Sequence, residues 1–111
     1  MLKADLHIHS KYSLDSNNSL EGIIERCKER GISCIAVCDH GTAEGGLKIQ
    51  EMAPFKVIVA EEVLTSEGEI MGMFLKETIP SGLSVAETIA AIRAQDGLAC
   101  IPHLISHPVA L

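Results

Sequence analysis

The sequence predicts an α/β protein, and two features of the chain carry this prediction. Short apolar segments alternate with amphipathic segments that have the spacing of helices. Histidine and carboxylate side chains follow the apolar segments, at the points where strands would end. Both features are typical of a sheet or barrel whose functional site lies at the carboxyl edge of its strands. With 111 residues, 47% of them apolar, the chain is long enough for one domain with a core.

The first half of the chain predicts two strands that alternate with two helices. Asn18, with Glu21 three residues later, has the pattern of a capping box that starts a helix, and Gly31 ends this helix. The following segment is nearly all apolar, as in a strand that is buried on both faces. Pro54 ends the second helix. The elements are a strand over residues 2–8, a helix between Asn18 and Gly31, a strand over residues 32–38 and a helix over about residues 45–52.

The second half predicts a hairpin, a helix and a last strand. A turn over residues 65–68 joins the two strands of the hairpin. Ser84 with Glu87 is a second capping box, and Gly97 ends the helix that it starts. The strands cover residues 57–63, 70–75 and 98–101, and the last one ends at Pro102 and His103.

Charge and composition exclude several classes of protein. Nine basic against fifteen acidic residues give a formal net charge of −6, which disfavours binding to a nucleic-acid backbone. No apolar run approaches the roughly 18 to 20 residues that cross a bilayer, and the first residues lack the layout of a signal peptide, so we expect a cytoplasmic protein without a membrane partner. The four cysteines have no C-x-x-C spacing, and we interpret them as reduced packing residues.

Two histidines on the first predicted strand are the leading candidates for a site. His7 and His9 are two residues apart, and alternation on a strand points both imidazoles to one side. Imidazole nitrogens bind divalent metals, but histidine is also tolerated in a core, so the pair alone leaves metal binding and packing open. Asp5 lies on the same predicted face, as an acceptor for an imidazole or as a surface carboxylate.

Acidic and histidine side chains also follow the later predicted strands. Asp39 and His40 come after a buried strand, where a charged pair costs desolvation unless it is solvated or coordinated. Glu61 and Glu62 end the third strand, and alternation allows only one of them to face the histidines. The remaining candidates are Asp15 in a stretch that also has turn composition, His103 directly after the last strand, and His107, which we favour less because it does not follow a strand.

Together these side chains form a nitrogen and oxygen donor set at successive strand ends. Such a set suits Zn²⁺, Mn²⁺ or Fe²⁺, and a carboxylate can bridge two ions. The sequence therefore predicts a divalent-metal site built from His7, His9, Asp15, His40, Glu62 and His103.

Four motifs occur in order along nearly the whole chain. They are Asp5-Leu6-His7-Ile8-His9-Ser10 with Tyr12-Ser13-x-Asp15, Cys38-Asp39-His40-Gly41-Thr42, Ala60-Glu61-Glu62-Val63 leading into Gly68-Glu69-Ile70, and Gly97-Leu98-Ala99-Cys100-Ile101-Pro102-His103. In order and spacing they resemble the first four motifs of the PHP family, the polymerase and histidinol phosphatase domain.

The resemblance implies that residues 1–111 belong to one PHP domain, a distorted (β/α)7 barrel of the TIM type that is incomplete in this chain. It also implies up to three divalent ions at the carboxyl face of the strands. Carried over by position, His7 and His9 would bind the first ion and Glu62 would bridge the first and second. The second ion would also be bound by His103, and the third by Asp15 with His40.

One departure from the family concerns the end of the chain. Family members have a later histidine and a terminal Asp-x-His motif that complete the three sites, and no Asp-x-His follows His103 here. By this resemblance three ligands are missing, one from each ion. A truncated or processed domain, or a partner chain, would account for the departure, and bare strand edges also favour self-association.

The activity implied by the resemblance is hydrolysis of a phosphate ester by metal-activated water, without a covalent intermediate. Asp39 and His40 are the candidate catalytic residues, with Asp39 orienting His40 or moving a proton unless it serves only in an ion pair. The acidic balance favours a small phosphorylated metabolite or nucleotide as the substrate. Two alternatives stay open: a PHP domain that binds metal without turnover, and histidines that pack in a core without metal.

Overall fold

The computed structural model describes residues 3–10, 12, 19–101 and the backbone of residues 109–110. Within this part of the chain, three helices and six strands form a mixed α/β structure. No helix in it combines the length and the apolar composition that crossing a membrane requires. In chain order the elements are β1 (Ala4–Ile8), α1 (Leu20–Arg30), β2 (Cys34–His40), α2 (Glu44–Met52), β3 (Lys56–Thr65), β4 (Gly68–Met73), α3 (Val85–Ala94), β5 (Leu98–Ile101) and β6 (Val109–Ala110).

The described strands form one sheet whose spatial order follows the chain order. Strands β1, β2 and β3 are parallel neighbours, and β4, β5 and β6 each run antiparallel to the strand before them. The predicted α/β class is confirmed, and so is the hairpin between β3 and β4. The short strand β6 was not predicted, because two residues carry no readable alternation.

The two faces of the sheet bury different kinds of side chain. The helices cover one face, where branched aliphatic residues such as Ile35, Ile49 and Ile92 form two neighbouring clusters. The other face carries a smaller cluster that includes Ala36, Cys38 and Ala60. These residues are buried although no described helix packs over them, because the sheet curls into a half-barrel whose interior they line. All four cysteines are free thiols, as predicted.

Predicted local signals set the end of α1 and the start of α3. Gly31 ends α1 in the left-handed conformation, with a φ of 68°, and Ser84 and Glu87 form the complete capping box that starts α3. The prediction of Asn18 as the first N-cap is wrong. Asn18 lies outside the described residues, and the N-cap is Ser19, whose hydroxyl accepts the Gly22 N–H at 3.1 Å.

A bulge in β1 changes which of its side chains share a face. Asp5 pairs with Ile35 and Ile8 pairs with Val37, so three steps along β1 match two steps along β2. Both partners lie on the helix-covered face, and Ile8 packs there as well. The prediction that Asp5 shares a face with His7 and His9 is therefore wrong. The extra residue of the bulge breaks the alternation, so side chains after it point to the opposite face from the one that strict alternation predicts. Asp5 instead accepts the backbone N–H of His7 at 3.1 Å.

Candidate metal centre

The carboxylate of Glu62 lies at the centre of three histidine side chains. Its side chain is only 1% exposed, and its Oε1 contacts Nε2 of His7 and lies 3.3 Å from Nε2 of His9. Its other oxygen, Oε2, lies 3.4 Å from Nδ1 of His40. Four of the predicted ligands are therefore brought together at one point of the half-barrel.

Strand register and the bulge in β1 explain this convergence. His40 is the last residue of β2 and pairs directly with Glu62 of β3, and neighbours in register point to the same face of a sheet. The bulge turns His7 and His9 toward that face, where the His9 ring stacks on the His40 ring with centroids 4.7 Å apart. The His7 and His9 rings are 5.1 Å apart. The three imidazoles thus form one contiguous group above the interior cluster of the half-barrel.

A fifth side chain, Glu69 on β4, joins the group and was not predicted as a site residue. Its Oε2 lies 3.0 Å from Nδ1 of His40. Glu69 lies two residues before Met71, which pairs with Glu62, so alternation places Glu69 and Glu62 on the same face. The sequence contained the signal, because the predicted turn over residues 65–68 fixes the hairpin register that brings Glu69 there.

Asp39, predicted as a catalytic residue, lies on the helix-covered face of β2, opposite to His40. It is fully buried, and its two oxygens accept hydrogen bonds from the backbone N–H and the hydroxyl of Ser10, each at 2.5 Å. Ser10 directly follows His9, and its Oγ also accepts the N–H of Tyr12. A Cβ on Gly45 would overlap both Asp39 Oδ2 and Ser10 Oγ, so only glycine allows α2 to lie this close.

Glu61 occupies the same buried face as Asp39, to which it is the register neighbour. Its Oε1 accepts the backbone N–H of Ile79 at 2.8 Å, whereas its Oε2 has no hydrogen-bond partner within the described part of the chain. Burial raises the pKa of Glu61 to about 7, against 4.5 for an ordinary glutamate. Of the two adjacent glutamates only Glu62 faces the histidines, in accordance with the alternation of the strand.

Cys38 lies on the interior face two residues before His40. Burial, and next the negative charge of Glu62, raise the pKa of its thiol to about 12. The Sγ–H is directed at the carbonyl oxygen of Leu6 at 3.5 Å. Cys38 is therefore a neutral packing residue beneath the imidazoles, in a protonation state that does not favour a thiolate ligand.

Three predicted candidates fall outside the described residues. They are Asp15 in the segment before α1, and His103 and His107 in the segment after β5. Their roles stay predictions.

The described donor set fits divalent cations. It consists of imidazole nitrogens and carboxylate oxygens, the ligands that Zn²⁺, Mn²⁺ and Fe²⁺ share. Two groups of three donors can each surround one ion: His7, His9 and Glu62, and His40, Glu62 and Glu69. Glu62 belongs to both groups. Because its carboxylate is buried, its negative charge is costly to desolvate unless a cation or a protonated side chain lies beside it.

A cleft of about 530 Å³ lies beside the histidines, between β1 and α1. His7 and His9 line it together with Arg26 and Arg30, which α1 presents from successive turns. Two positive charges therefore border this cleft in a chain that is acidic overall.

Comparisons with known proteins agree with this geometry. Two uncharacterized proteins of Methanocaldococcus jannaschii are 43% and 36% identical to the chain, each over 92% of its length. The chain spans 67% of the first relative and 39% of the second. A Bacteroides vulgatus crystal structure, described as a two-domain protein containing predicted PHP-like metal-dependent phosphoesterase, has the same fold, with a TM-score of 0.74 at 17% identity. That match covers 88% of this chain and 34% of the other.

The sequence profile of the PHP domain matches residues 5–95, which contain every described residue of the histidine and glutamate group. This match covers well over half of the chain. The chain belongs to the PHP domain family.

Proposed function

We propose that this protein is a metal-dependent phosphoesterase that hydrolyses a phosphate ester of a small metabolite or nucleotide. The observation that carries the proposal is the convergence of His7, His9 and His40 on the buried carboxylate of Glu62. Asp15 and His103 are proposed as further ligands, with Zn²⁺, Mn²⁺ or Fe²⁺ as the ion and up to three ions in a complete domain.

The proposed chemistry divides between the bound ions and the protein. Divalent ions in such a site supply water activation at neutral pH and stabilise the charge of the phosphoryl oxygens. His7, His9 and Glu62 would hold an ion, and His40 completes the group from the next strand. Asp39 is proposed to act through Ser10, because its carboxylate anchors the residue that follows His9.

The cleft between β1 and α1 supports a small anionic substrate. Arg26 and Arg30 line it beside the histidines, and guanidinium groups bind phosphate oxygens in bidentate geometry. The rest of the chain is acidic, which opposes a long polyanion. We therefore expect Arg26→Ala to raise KM for a phosphomonoester more than it lowers kcat.

The lengths of the relatives support a site that other segments complete. The chain spans 67% and 39% of its two relatives and 34% of the structurally similar chain. We propose that the half-barrel belongs to a (β/α)7 barrel, whose remaining strands and ligands come from a longer chain, a partner chain or a second copy.

The test compares metal content and hydrolysis in the same protein samples. The wild-type protein is loaded with Mn²⁺, desalted and analysed for bound metal, and its hydrolysis of p-nitrophenyl phosphate is followed. We expect His9→Ala and Glu62→Gln to lose both metal and activity, whereas Glu77→Gln, an exposed change on the loop before α3, retains both.

The outcomes separate the three interpretations of the histidines. Activity that depends on His9 and Glu62 supports the phosphoesterase. Retention of metal without hydrolysis refutes an active enzyme in residues 1–111 alone and favours a metal-binding PHP domain that other segments must complete. Less than about one ion per chain after loading refutes both, since such ligands should retain metal at sub-micromolar concentrations.

A further inference from the structure

Leu64 is the most exposed large apolar side chain within the described part of the chain, with an exposed fraction of 57%. It lies on β3 two residues after Glu62, and Val63 between them packs in a cluster on the helix-covered face. Alternation along the strand therefore places Leu64 on the same face as Glu62, one step closer to the carboxyl edge of the sheet. The proposed ligands and the cleft beside α1 do not include this side chain.

The backbone of Leu64 is held from both sides, so its place above the buried carboxylate is fixed. On one side Leu64 pairs with Glu69 of β4. On the other side β2 has already ended at His40, and the Gly82 N–H donates to the Leu64 carbonyl oxygen at 2.8 Å. A single exposed leucine on a loop needs no explanation. A leucine that the sheet fixes beside Glu62 can instead contact a bound molecule without a loop having to be ordered first.

The two flanks of the histidine and glutamate group differ in character. On the β1 flank, Arg26 and Arg30 line the cleft next to His7 and His9. On the opposite flank, two strands away in the sheet, Leu64 presents an apolar surface. A phosphate ester also has two unlike ends. Its phosphoryl group is stabilised by cations and guanidinium groups, whereas a neutral alcohol part gains from leaving water against an apolar surface.

We propose that Leu64 forms the subsite for the alcohol part of the substrate, and that this part is aromatic or apolar. The inference rests on the proposed phosphoesterase function and narrows its substrate class. The carboxylate of Glu69, which is 31% exposed and pairs in register with Leu64, adds negative charge to this flank. A second anionic group on the alcohol part would be repelled there. The flank therefore favours the ester of an aromatic alcohol over the ester of a charged one.

Binding of two phosphonates to the Mn²⁺-loaded protein, measured by calorimetry, tests this inference without requiring turnover. Phenylphosphonate and methylphosphonate carry the same charged group and have a C–P bond in place of the ester bond. They therefore differ in the part that would lie over Leu64. We expect the wild-type protein to bind phenylphosphonate at least about fivefold more tightly, because the ring and the leucine remove apolar surface from water together.

Three variants locate the origin of this preference. Leu64→Thr removes most of the apolar surface but keeps a residue that favours a strand, so the preference should fall below about twofold while the affinity for methylphosphonate changes less than about twofold. Leu64→Met keeps an apolar side chain of similar size and should retain the preference. Met52→Thr changes another exposed apolar residue, at the end of α2, and should match wild type.

The outcomes separate a failure of this inference from a failure of the proposed function. An unchanged preference for phenylphosphonate in Leu64→Thr overturns the inference, and so does a wild-type protein that binds both phosphonates equally. The proposed phosphoesterase stands in both cases, because the metal-loaded site still binds a phosphonate. Wild-type protein that retains no metal, or that retains it and binds neither phosphonate, refutes a phosphate-ester site in residues 1–111 and the inference with it.

Discussion

Asp39 is expected to be the residue of this group whose loss costs most stability. Its fully buried carboxylate accepts two hydrogen bonds of 2.5 Å from Ser10. Hydrogen bonds to a charged group contribute about 1.5–3 kcal/mol each, and a buried donor that loses its partner adds a desolvation cost. We therefore expect Asp39→Ala to lower the free energy of unfolding by about 3–5 kcal/mol, a large part of the stability of an ordinary domain.

Urea denaturation of the metal-free protein, followed by circular dichroism in the presence of EDTA, measures this change. Removal of the metal matters because the proposed ligands His9 and His40 lie next to Ser10 and Asp39 in the chain, and bound ions would add their own linkage to the measured stability. Asp96→Asn is the matched control. Asp96 is exposed with a φ of 63°, which asparagine tolerates, and its ion pair with Lys76 is at the surface, so we expect a change below about 0.5 kcal/mol.

Ser10→Ala keeps the prediction testable if Asp39→Ala does not fold. It keeps the backbone hydrogen bond to Asp39 but removes the hydroxyl, which donates to Asp39 and accepts the Tyr12 N–H, and should cost about 1–2 kcal/mol. Both variants should also weaken Mn²⁺ binding, because Ser10 anchors the chain directly after His9. If Asp39→Ala lowers the free energy of unfolding by less than about 1 kcal/mol, the hydrogen bonds between Asp39 and Ser10 do not stabilise the fold as expected.

Three further changes test other parts of the fold. Burial raises the pKa of Glu61 to about 7, so its contribution to the free energy of unfolding is complete below pH 4.5 and is lost as the pH rises through 7. Glu61→Gln should remove this loss of stability in urea titrations across that pH range. An unchanged slope of stability against pH would contradict this expectation. Ser84→Ala removes the hydroxyl that accepts the Glu87 N–H and should lower the free energy of unfolding by about 1 kcal/mol, whereas an unchanged urea midpoint would mean that the cap contributes nothing. Thr88→Val replaces a buried hydroxyl that lacks a hydrogen-bond partner within the described residues, so thermal denaturation should show equal or higher stability; a clear loss would reveal a partner for that hydroxyl.

Elements with strong local signals could be predicted from the sequence. The capping box at Ser84 and the left-handed Gly31 fix helix ends through contacts within a few residues, so they can be read without knowledge of the fold. The grouping of His40 and Glu62 could also be predicted, because the carboxyl ends of neighbouring parallel strands meet at one edge of a sheet.

Features that depend on register between strands could be predicted only in part. The bulge between Asp5 and Ile8 is visible only when β1 is placed against β2, and strict alternation along β1 gave the wrong face for Asp5. Glu69 is two residues from the register partner of Glu62, a relation that a two-residue turn determines. The position of Glu69 could therefore have been predicted from the sequence, whereas the bulge in β1 could not.

Adjacent residues on β2 and β3 divide anchoring contacts and proposed ligands between the two faces of the sheet. Asp39 and Glu61 bind backbone groups on the helix-covered face, while His40 and Glu62 point into the half-barrel. A slip of one residue in either strand would exchange these roles and bury the ligands under the helices. The anchoring contacts therefore keep the proposed ligands in register, and substitutions of Asp39 or Glu61 should change metal affinity although both side chains lie on the opposite face of the sheet.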